Sequence, residues 1–563
     1  MFRHVLLPNG NRGAVVLMMV FLTMGSNLPP LEAQVTTVTG VVKNASGQPV
    51  AGALVKVKSA DLGFSFLVVS QAQGRYSTPN LLAGKYTAQG FGGVYQSGVS
   101  APVEVTSGAQ AKMDLVLSTE RKPYVAEKRL TDDDYVKMMP EGEAKQLIST
   151  RCLLCHGLER VVPAREKPED WRDHLDRMFG YVESRPDIQA KYHIGPFTEH
   201  ERKMIFDYVT KNFGPNSPRI RREGSEEVGH GLVVVSDKSP ERHLPRVLLN
   251  GAAAKFVAME FDKVGRDGVH DIAPDSHGIA WVSEQTIGTG MIGRFDPKRL
   301  SYTHVAPPPA NFPHFLGSLA IDPQDHVWLV DRGPKPNIKI LQYNPANGAF
   351  KTYNIAAPPK YRAPFNTIRF LNGNLWGAGN SGSRIVKLEP DTGKITEYPV
   401  LKGSHPFGLG IGGDRKIWYV AMYDNEVVRL DPNTGKFTHY KPPLKHFGPR
   451  RMGVDRQGNL WAAGQDSGVL VKVDYRTGKM SEYEPPTKDS GPYIVDGDPT
   501  RNVIWFGESY AHQLGRYDID TNSFAEFPLP TADVRPSSVK VDPTNPNRVW
   551  WAGSKIGYIE VIQ

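Results

Sequence analysis

"VIWFGESYAHQLGRYD", residues 503–518, reads as one apolar strand headed by a tryptophan, a short polar turn, and a second strand that ends on aspartate. The pattern recurs. Tryptophans head matching strands in "IAWVSE", "HVWLVD", "NLWGAG", "KIWYVA", "NLWAAG", "VIWFGE" and "RVWWAG", at Trp281, Trp328, Trp376, Trp418, Trp461, Trp505 and Trp550. Their spacings of 47, 48, 42, 43, 44 and 45 residues are the period of one four-stranded propeller blade. Further strands follow each tryptophan, as in "RIVKLEPDTGK" and "ITEYPV". Seven repeats predict seven blades over residues 228–563. The chain stops at "KIGYIEVIQ", one strand short of a full blade, whereas "AKFVAMEFDKV", near 254–264, has the missing strand's pattern ahead of the first tryptophan. That strand is predicted to complete the last blade and hide its edge.

The other segments differ in character. The chain has 563 residues, formal charge +8, 40% apolar and 22% charged residues, the composition of an ordinary globular protein. Its basic residues are scattered, without the clustered basic and aromatic stretches of nucleic-acid binders, so no nucleic-acid partner is expected. Arg3 and Arg12 precede the apolar run "AVVLMMVFLT", and "LEAQ" follows with a cleavage point after Ala33. Residues 1–33 therefore read as a signal peptide of an exported, periplasmic or extracellular protein, with no transmembrane segment in the mature chain.

Residues 35–118 alternate short β-type runs such as "ALVKVK" and "MDLVLS" with Gly, Pro and Asn turns, which predicts a small antiparallel sandwich. The stretches "GQPVAGALV" and "GRYSTPNLLAGKY" resemble the carboxypeptidase regulatory-like family. That resemblance implies an Ig-like or transthyretin-like accessory fold without catalysis, serving docking or spacing.

From about 125 to 214 the pattern turns helical. Thr198 and Glu201 form a capping-box signature ahead of Met204, Ile205, Tyr208 and Val209, which share one face. Within this segment "STRCLLCHGLER", residues 149–160, holds both cysteines of the chain. C-x-x-C-H in an exported protein reads as covalent attachment of one haem c, with thioethers to Cys152 and Cys155 and His156 as an axial iron ligand. A zinc site lacks a second ligand pair, and a thioredoxin-type pair lacks its βαβ context. The segment resembles the class I-like c-type cytochromes. That family's second axial ligand is usually a downstream methionine; the candidates here are Met178, His193 and Met204. Met178 stands first, although with Trp171 and Leu175 it also completes an ordinary apolar stripe.

The repeats, best in "MIGRFDP", "VIWFGESYAHQLGRYD" and "SKIGYIEVI", resemble the virginiamycin B lyase (streptogramin lyase) family of seven-bladed propellers. The resemblance implies elimination chemistry with a histidine base, acidic residues and Mg²⁺ at the central funnel, carried by a histidine 11 before the blade tryptophan and a glutamate three after it. His270 and Glu284 occupy both positions in the first blade. The other blades present Gly317 with Asp331, Asn366 with Gly379, Phe407 with Ala421, Arg450 with Gly464, Tyr493 with Glu508, and Ser537 with Gly553, so the constellation is incomplete. A polar, mixed-charge row remains: His270, Asn366, Arg450, Tyr493 and Glu508. His277 and His405 read as loop residues. The fold expected is multidomain and mainly β: Ig-like sandwich, small all-α haem domain, propeller. The function expected is single-electron transfer with a redox partner protein or a small-molecule substrate. A lyase at His270 and Glu284, with Mg²⁺, and a non-catalytic binding scaffold are the alternatives.

Overall fold

The computed structural model describes residues 36–122, 128–154, 157–220, 225–228, 231–234, 239–265, 268–285, 290–309, 314–333, 337–356, 365–379, 383–401, 404–444 and 447–562. The signal segment 1–33, Cys155 and His156 lie outside these residues.

Six four-stranded antiparallel sheets follow one another, each laid down in chain order. Their innermost strands are Val269–Pro274, Leu316–Ile321, Phe365–Leu371, Pro406–Ile411, Pro449–Val454 and Pro492–Gly497. Each touches the next, and Ser538–Val541 of the last blade touches both Pro492–Gly497 and Val269–Pro274, which closes a ring of seven. The seventh sheet is built from Ser538–Val541, Arg548–Ala552, Ile556–Val561 and, as its outermost strand, Phe256–Phe261. The predicted latch is therefore present.

A recurring side-chain contact explains the tryptophan repeat. In five blades the indole N–H donates to an aspartate at the end of the innermost strand or in the turn that follows: Trp281 to Asp275 at 2.8 Å, Trp328 to Asp322 at 2.8 Å, Trp418 to Asp414 at 3.1 Å, Trp461 to Asp455 at 3.0 Å and Trp550 to Asp542 at 2.9 Å. The same carboxylate accepts turn amides, as when Asp455 takes the N–H of Asn459 at 2.8 Å. A buried ring is thus pinned by a charge-assisted bond, while its flat faces fill the space between blades. Blade three replaces the long turn with Asn372-Gly373, both at positive φ, a two-residue hairpin that needs no aspartate. Trp376 Nε1 is left without a partner.

The first segment is not a separate bead. Its strand Phe64–Val69 pairs antiparallel with Phe256–Phe261 on the side away from Ile556–Val561, with Ala258 opposite Leu67 on one flank and Ile559 on the other. One sheet of ten strands therefore runs from the Ig-like module into the propeller. Val55, Phe64, Phe66 and Tyr86 of the module share a hydrophobic core with Met259, Phe295, Trp550 and Tyr558 of the last and first blades. The connecting stretch is tied as firmly: Leu249 N–H donates to Gly52 O at 2.9 Å, Arg121 donates to the carbonyls of Pro245 and Leu244 at 2.9 Å each, and Lys56 pairs with Glu241 at 2.6 Å. Gly52 sits at φ 79°, and any Cβ there would meet Leu249 O.

Between these parts stand five helices: α1 (Asp132–Met138), α2 (Glu143–Arg151), α3 (Pro168–Glu183), α4 (Pro186–Tyr192) and α5 (Glu199–Asn212). Both predicted partners of the Thr198–Glu201 capping box are present. The entry strand Lys128–Arg129 and the exit strand Ser225–Val228 both pair with Gly231–Val234, so the helical unit is pinched at its base. Propeller strands consequently begin at Phe256 rather than at residue 228, because 225–234 belong to this clasp.

Substituting Trp328 by Phe should leave the buried Asp322 carboxylate one donor short, at a cost of about 1.5–3 kcal/mol. Trp376→Phe removes the same ring volume but no bond. In paired thermal melts the first variant should unfold at clearly lower temperature than the second, and equal melting points would refute the pinning role.

Candidate functional site

Six innermost strands share an irregularity at their start. The pairing register breaks between Val269 and Asp271, Leu316 and Leu319, Phe365 and Thr367, Pro406 and Leu409, Pro449 and Met452, and Pro492 and Ile494. A bulge re-aims the side chain it contains. The residues in these breaks include His270, Asn366, Phe407, Arg450, Arg451 and Tyr493, so four of the five residues in the polar row occupy bulges. The residue before each break pairs with the end of the second strand: Val269 with Glu284, Leu316 with Asp331, Phe365 with Gly379, Pro406 with Ala421, Pro449 with Gly464 and Pro492 with Glu508. All of these positions lie at the same end of the ring, beside one mouth of the channel. The aspartates that hold the tryptophans lie toward the other.

The structure does not join His270 to Glu284. Arg332 Nη2 donates to His270 Nε2 at 2.8 Å, and Nδ1 lies 3.3 Å from Asp271 Oδ2. Arg451 Nη2 lies 3.1 Å from the same Nδ1. Burial, then the Arg332 charge, lowers the His270 pKa to about 4, so the imidazole is neutral but its lone pair is engaged. Glu284 faces outward. Its Oε1 accepts from Tyr302 Oη at 2.7 Å and the Gly265 N–H at 3.1 Å, with His304 Nε2 at 3.0 Å. The His270 lone pair and one oxygen of Glu284 are therefore both engaged. Among the described residues no three His, Cys, Asp or Glu side chains gather as a metal-binding group, so the donors that Mg²⁺ would need are not assembled and no step is derived through it.

The centre of the mouth is Arg451, which the spacing rule passed over because it is the second residue of its bulge. Its guanidinium pairs with Asp271 and reaches Ser537 O at 3.3 Å and Asn366 O at 3.4 Å. Blades five and one are not neighbours in a ring of seven, so this ion pair crosses the channel. Both side chains are buried. Burial raises the Asp271 pKa, but the Arg451 charge and then His270 pull it far below the usual carboxylate range. The available signal was "PRRMGV", two arginines inside an otherwise apolar strand.

Glu508, fully buried, accepts from Gln513 Nε2 at 2.9 Å, and its Oε1 has no partner. Burial and the nearby Glu526 push its pKa up to about 8. His277 and His405 lie in turns, as read.

The helical unit rests on this mouth. Tyr181 Oη donates to Asp424 Oδ1 at 2.6 Å, and Arg185 pairs with the same buried carboxylate. Arg129 stacks 4.5 Å over Tyr510 and lies 3.8 Å from Asp466, which Arg450 also approaches at 3.7 Å. Asp424, Asp466 and Tyr510 each follow a second strand, of blades four, five and six. Within the unit, Cys152 ends α2 and is buried with Ile148, Trp171, Leu175 and Phe179, and Met178 and Met204 pack against the same core. His193 is exposed and caps α4 at φ 54°.

Residues 337–563 match the virginiamycin B lyase family, and residues 37–118 match the carboxypeptidase regulatory-like domain. The propeller is virginiamycin B lyase-like. Similar solved structures are a streptogramin B lyase, 25% identical over 55% of this chain and 100% of that one with a TM-score of 0.49, and a virginiamycin B lyase from Staphylococcus aureus, 23% identical over the same shares with a TM-score of 0.48. No curated protein matches the chain. The family match begins at residue 337, so blade one, with His270 and Glu284, lies outside it. Among the described residues no helix is long and apolar enough to cross a membrane.

The Glu508 carboxyl binds its proton more tightly folded than unfolded, so between about pH 4.5 and 8 the native state holds the extra proton and stability falls as pH rises. Glu508→Gln should abolish this slope, melting above the wild type at pH 8 and alongside it at pH 5. An unchanged slope would show that Glu508 is ionised in the folded protein.

Proposed function

We propose that the protein is an exported haem-c electron-transfer protein whose propeller funnel receives a redox partner or a small molecule. The observation that carries this reading is the seating of the helical unit, which bears the C-x-x-C-H motif, on the bulged mouth of the propeller through the buried Asp424 and the Arg129–Tyr510 stack. The described surroundings of Cys152 fit the group: a buried thiol in an aromatic and aliphatic core, with the thioethers of Met178 and Met204 packed on the same cluster. Cys152 and Cys155 would hold the haem, His156 and Met178 would ligate its iron, and the bound group supplies reversible one-electron chemistry. The chain's own part is to keep that core dry, which sets the potential, and to hold the unit in register with the mouth. Arg185 and Tyr181 do this by saturating one oxygen of Asp424 from two successive turns around the end of α3.

The family match favours a lyase as the second reading. It would have to work through His270, whose lone pair Arg332 takes, and Glu284, one of whose oxygens accepts from Tyr302 and contacts His304. Little or no opening of a streptogramin B depsipeptide is expected, with or without added Mg²⁺. Efficient Mg²⁺-dependent opening that disappears in His270→Ala would reverse the ranking.

For the leading reading, protein matured in a host that attaches c-type haem should retain the haem on the denatured chain. Oxidised protein should show the weak far-red sulfur-to-iron band, and Met178→Ala should abolish it, leave the haem attached and lower the reduction potential. Persistence of the band in Met178→Ala would move the ligand to Met204, and its absence from the wild type would favour His193 or an open position. Haem that extracts freely from the unfolded wild type would end the cytochrome reading.

A further inference from the structure

The channel wall carries more positive than negative charge. Arg332 and Arg369 each feel the charge of Arg451, and Lys540 that of Arg369, and the carboxylates that act on Arg332, Arg369 and Lys540 among the described residues are Asp271 and Asp496. Both carboxylates are already committed. Asp271 takes Arg451 and the Leu319 N–H at 3.1 Å, and Asp496 takes Lys540 and the Val541 N–H at 3.1 Å. Among the described residues neither Arg332 nor Arg369 has a carboxylate partner. Arg332 spends one Nη on the neutral His270 ring and a long 3.5 Å contact to Phe365 O, and Arg369 donates to Ile368 O at 2.8 Å.

Unused polar atoms occur on Arg332 and Arg451, which both contact His270, and on the neighbouring bulge of blade three. Arg332 Nε, Arg451 Nε and Thr367 Oγ1 are buried without a partner, as is the Asn366 amide oxygen. Arg451 retains 4% of its surface and Asn366 7%, so bulk water does not satisfy them. Blade two leaves room for the arrangement, because a Cβ on Gly317 would stand 2.4 Å from Arg332 Nε. Burial, then repulsion from Arg451, lowers the Arg332 pKa to about 10, the direction expected of a guanidinium lacking its counter-charge. A planar guanidinium with free N–H groups is the usual receptor for a two-oxygen anion.

We propose that the propeller channel, entered from the bulged mouth, binds a small oxyanion, the carboxylate of an organic acid or a phosphate group, on Arg332, Arg451 and Thr367, with Arg369 and Lys540 supplying charge behind it. The site adjoins His270, which both arginines contact, takes neither His270 nor Glu284 as a ligand to the anion, and requires no haem. It defines the class of small molecule that the mouth admits: an anion rather than a neutral or basic ligand.

Calorimetric titration of the full-length protein at pH 7 and constant ionic strength, with succinate and inorganic phosphate as separate probes and chloride as the balancing salt, tests this. Saturable binding of either probe is expected, accompanied by a saturable rise in melting temperature. Succinate alone identifies a carboxylate receptor and phosphate alone a phosphate receptor. Arg332→Gln should weaken binding at least tenfold, while Arg332→Lys should recover part of it. Arg369→Gln, which breaks no side-chain ion pair, should weaken binding several-fold and serves if Arg332→Gln does not fold. Absence of saturable binding by both probes, or unchanged affinity in whichever of these Gln variants folds, overturns the proposal.

Discussion

Phe256–Phe261 is the strand on which the rest of the architecture depends. It closes the propeller by completing the last blade, and it does so far from the chain terminus that it meets, pairing with Ile556–Val561 across the whole of the propeller's sequence. A latch of this kind normally leaves one new edge to the solvent. Here the edge is covered by Phe64–Val69, so the strand is hydrogen-bonded on both flanks and all six of its residues are buried. The ring cannot open without also tearing the Ig-like module from its neighbour. This makes the module part of the closure rather than a spacer, and it fixes where the chain enters the helical unit.

Closing the ring creates the constraint that shapes the mouth. Seven inner strands converge, and the narrow space between them cannot hold long side chains that stay in the regular pleat. The bulges resolve this by letting two residues oppose one and turning the extra side chain toward the axis. The same device brings Arg451 from blade five to Asp271 of blade one. A buried pair of this kind gains little over an apolar pair in stability, but losing one partner strands the other charge at a cost of about 3–5 kcal/mol. Its consequence is geometric: Arg451 ties blades one, three and seven to blade five and packs against His270.

Much of this was legible in the sequence because it repeats. The tryptophan period, the missing outer strand and the Thr198–Glu201 cap all depend on local pattern, and each has its counterpart in the structure. The polar row at the mouth was also legible, since its spacing from the tryptophan tracks the bulge. What the spacing could not show is which atoms those side chains meet. Glu284 pairs in register with Val269 rather than with His270, which sits in the bulge, and so one side chain turns to Arg332 and the other to Tyr302. Arg451 and Arg332 escaped for a related reason. Their importance comes from contacts across the ring or between blades, and no local period records such contacts. The fusion of the Ig-like module with blade seven was hidden in the same way, since Phe64–Val69 and Phe256–Phe261 read equally well as edge strands of two separate domains.

The placement of the helical unit links these observations to function. Its anchors are not spread over the propeller but fall on Asp424, Asp466 and Tyr510, one after each of three successive second strands. Asp466 is shared between Arg129, at the base of the unit, and Arg450, a bulge residue of the mouth. A change in charge at the mouth is therefore felt one ion pair away at the hinge of the helical unit, and the coupling runs in both directions as linkage requires. A unit tethered only by its entry and exit strands could pivot freely. One whose α3 end is held by a buried carboxylate, and whose base shares an aspartate with the funnel, keeps the Cys152 core at a fixed station beside the channel. If the core holds a redox group, as proposed, this fixed station sets the distance over which an electron would pass to a molecule in the mouth.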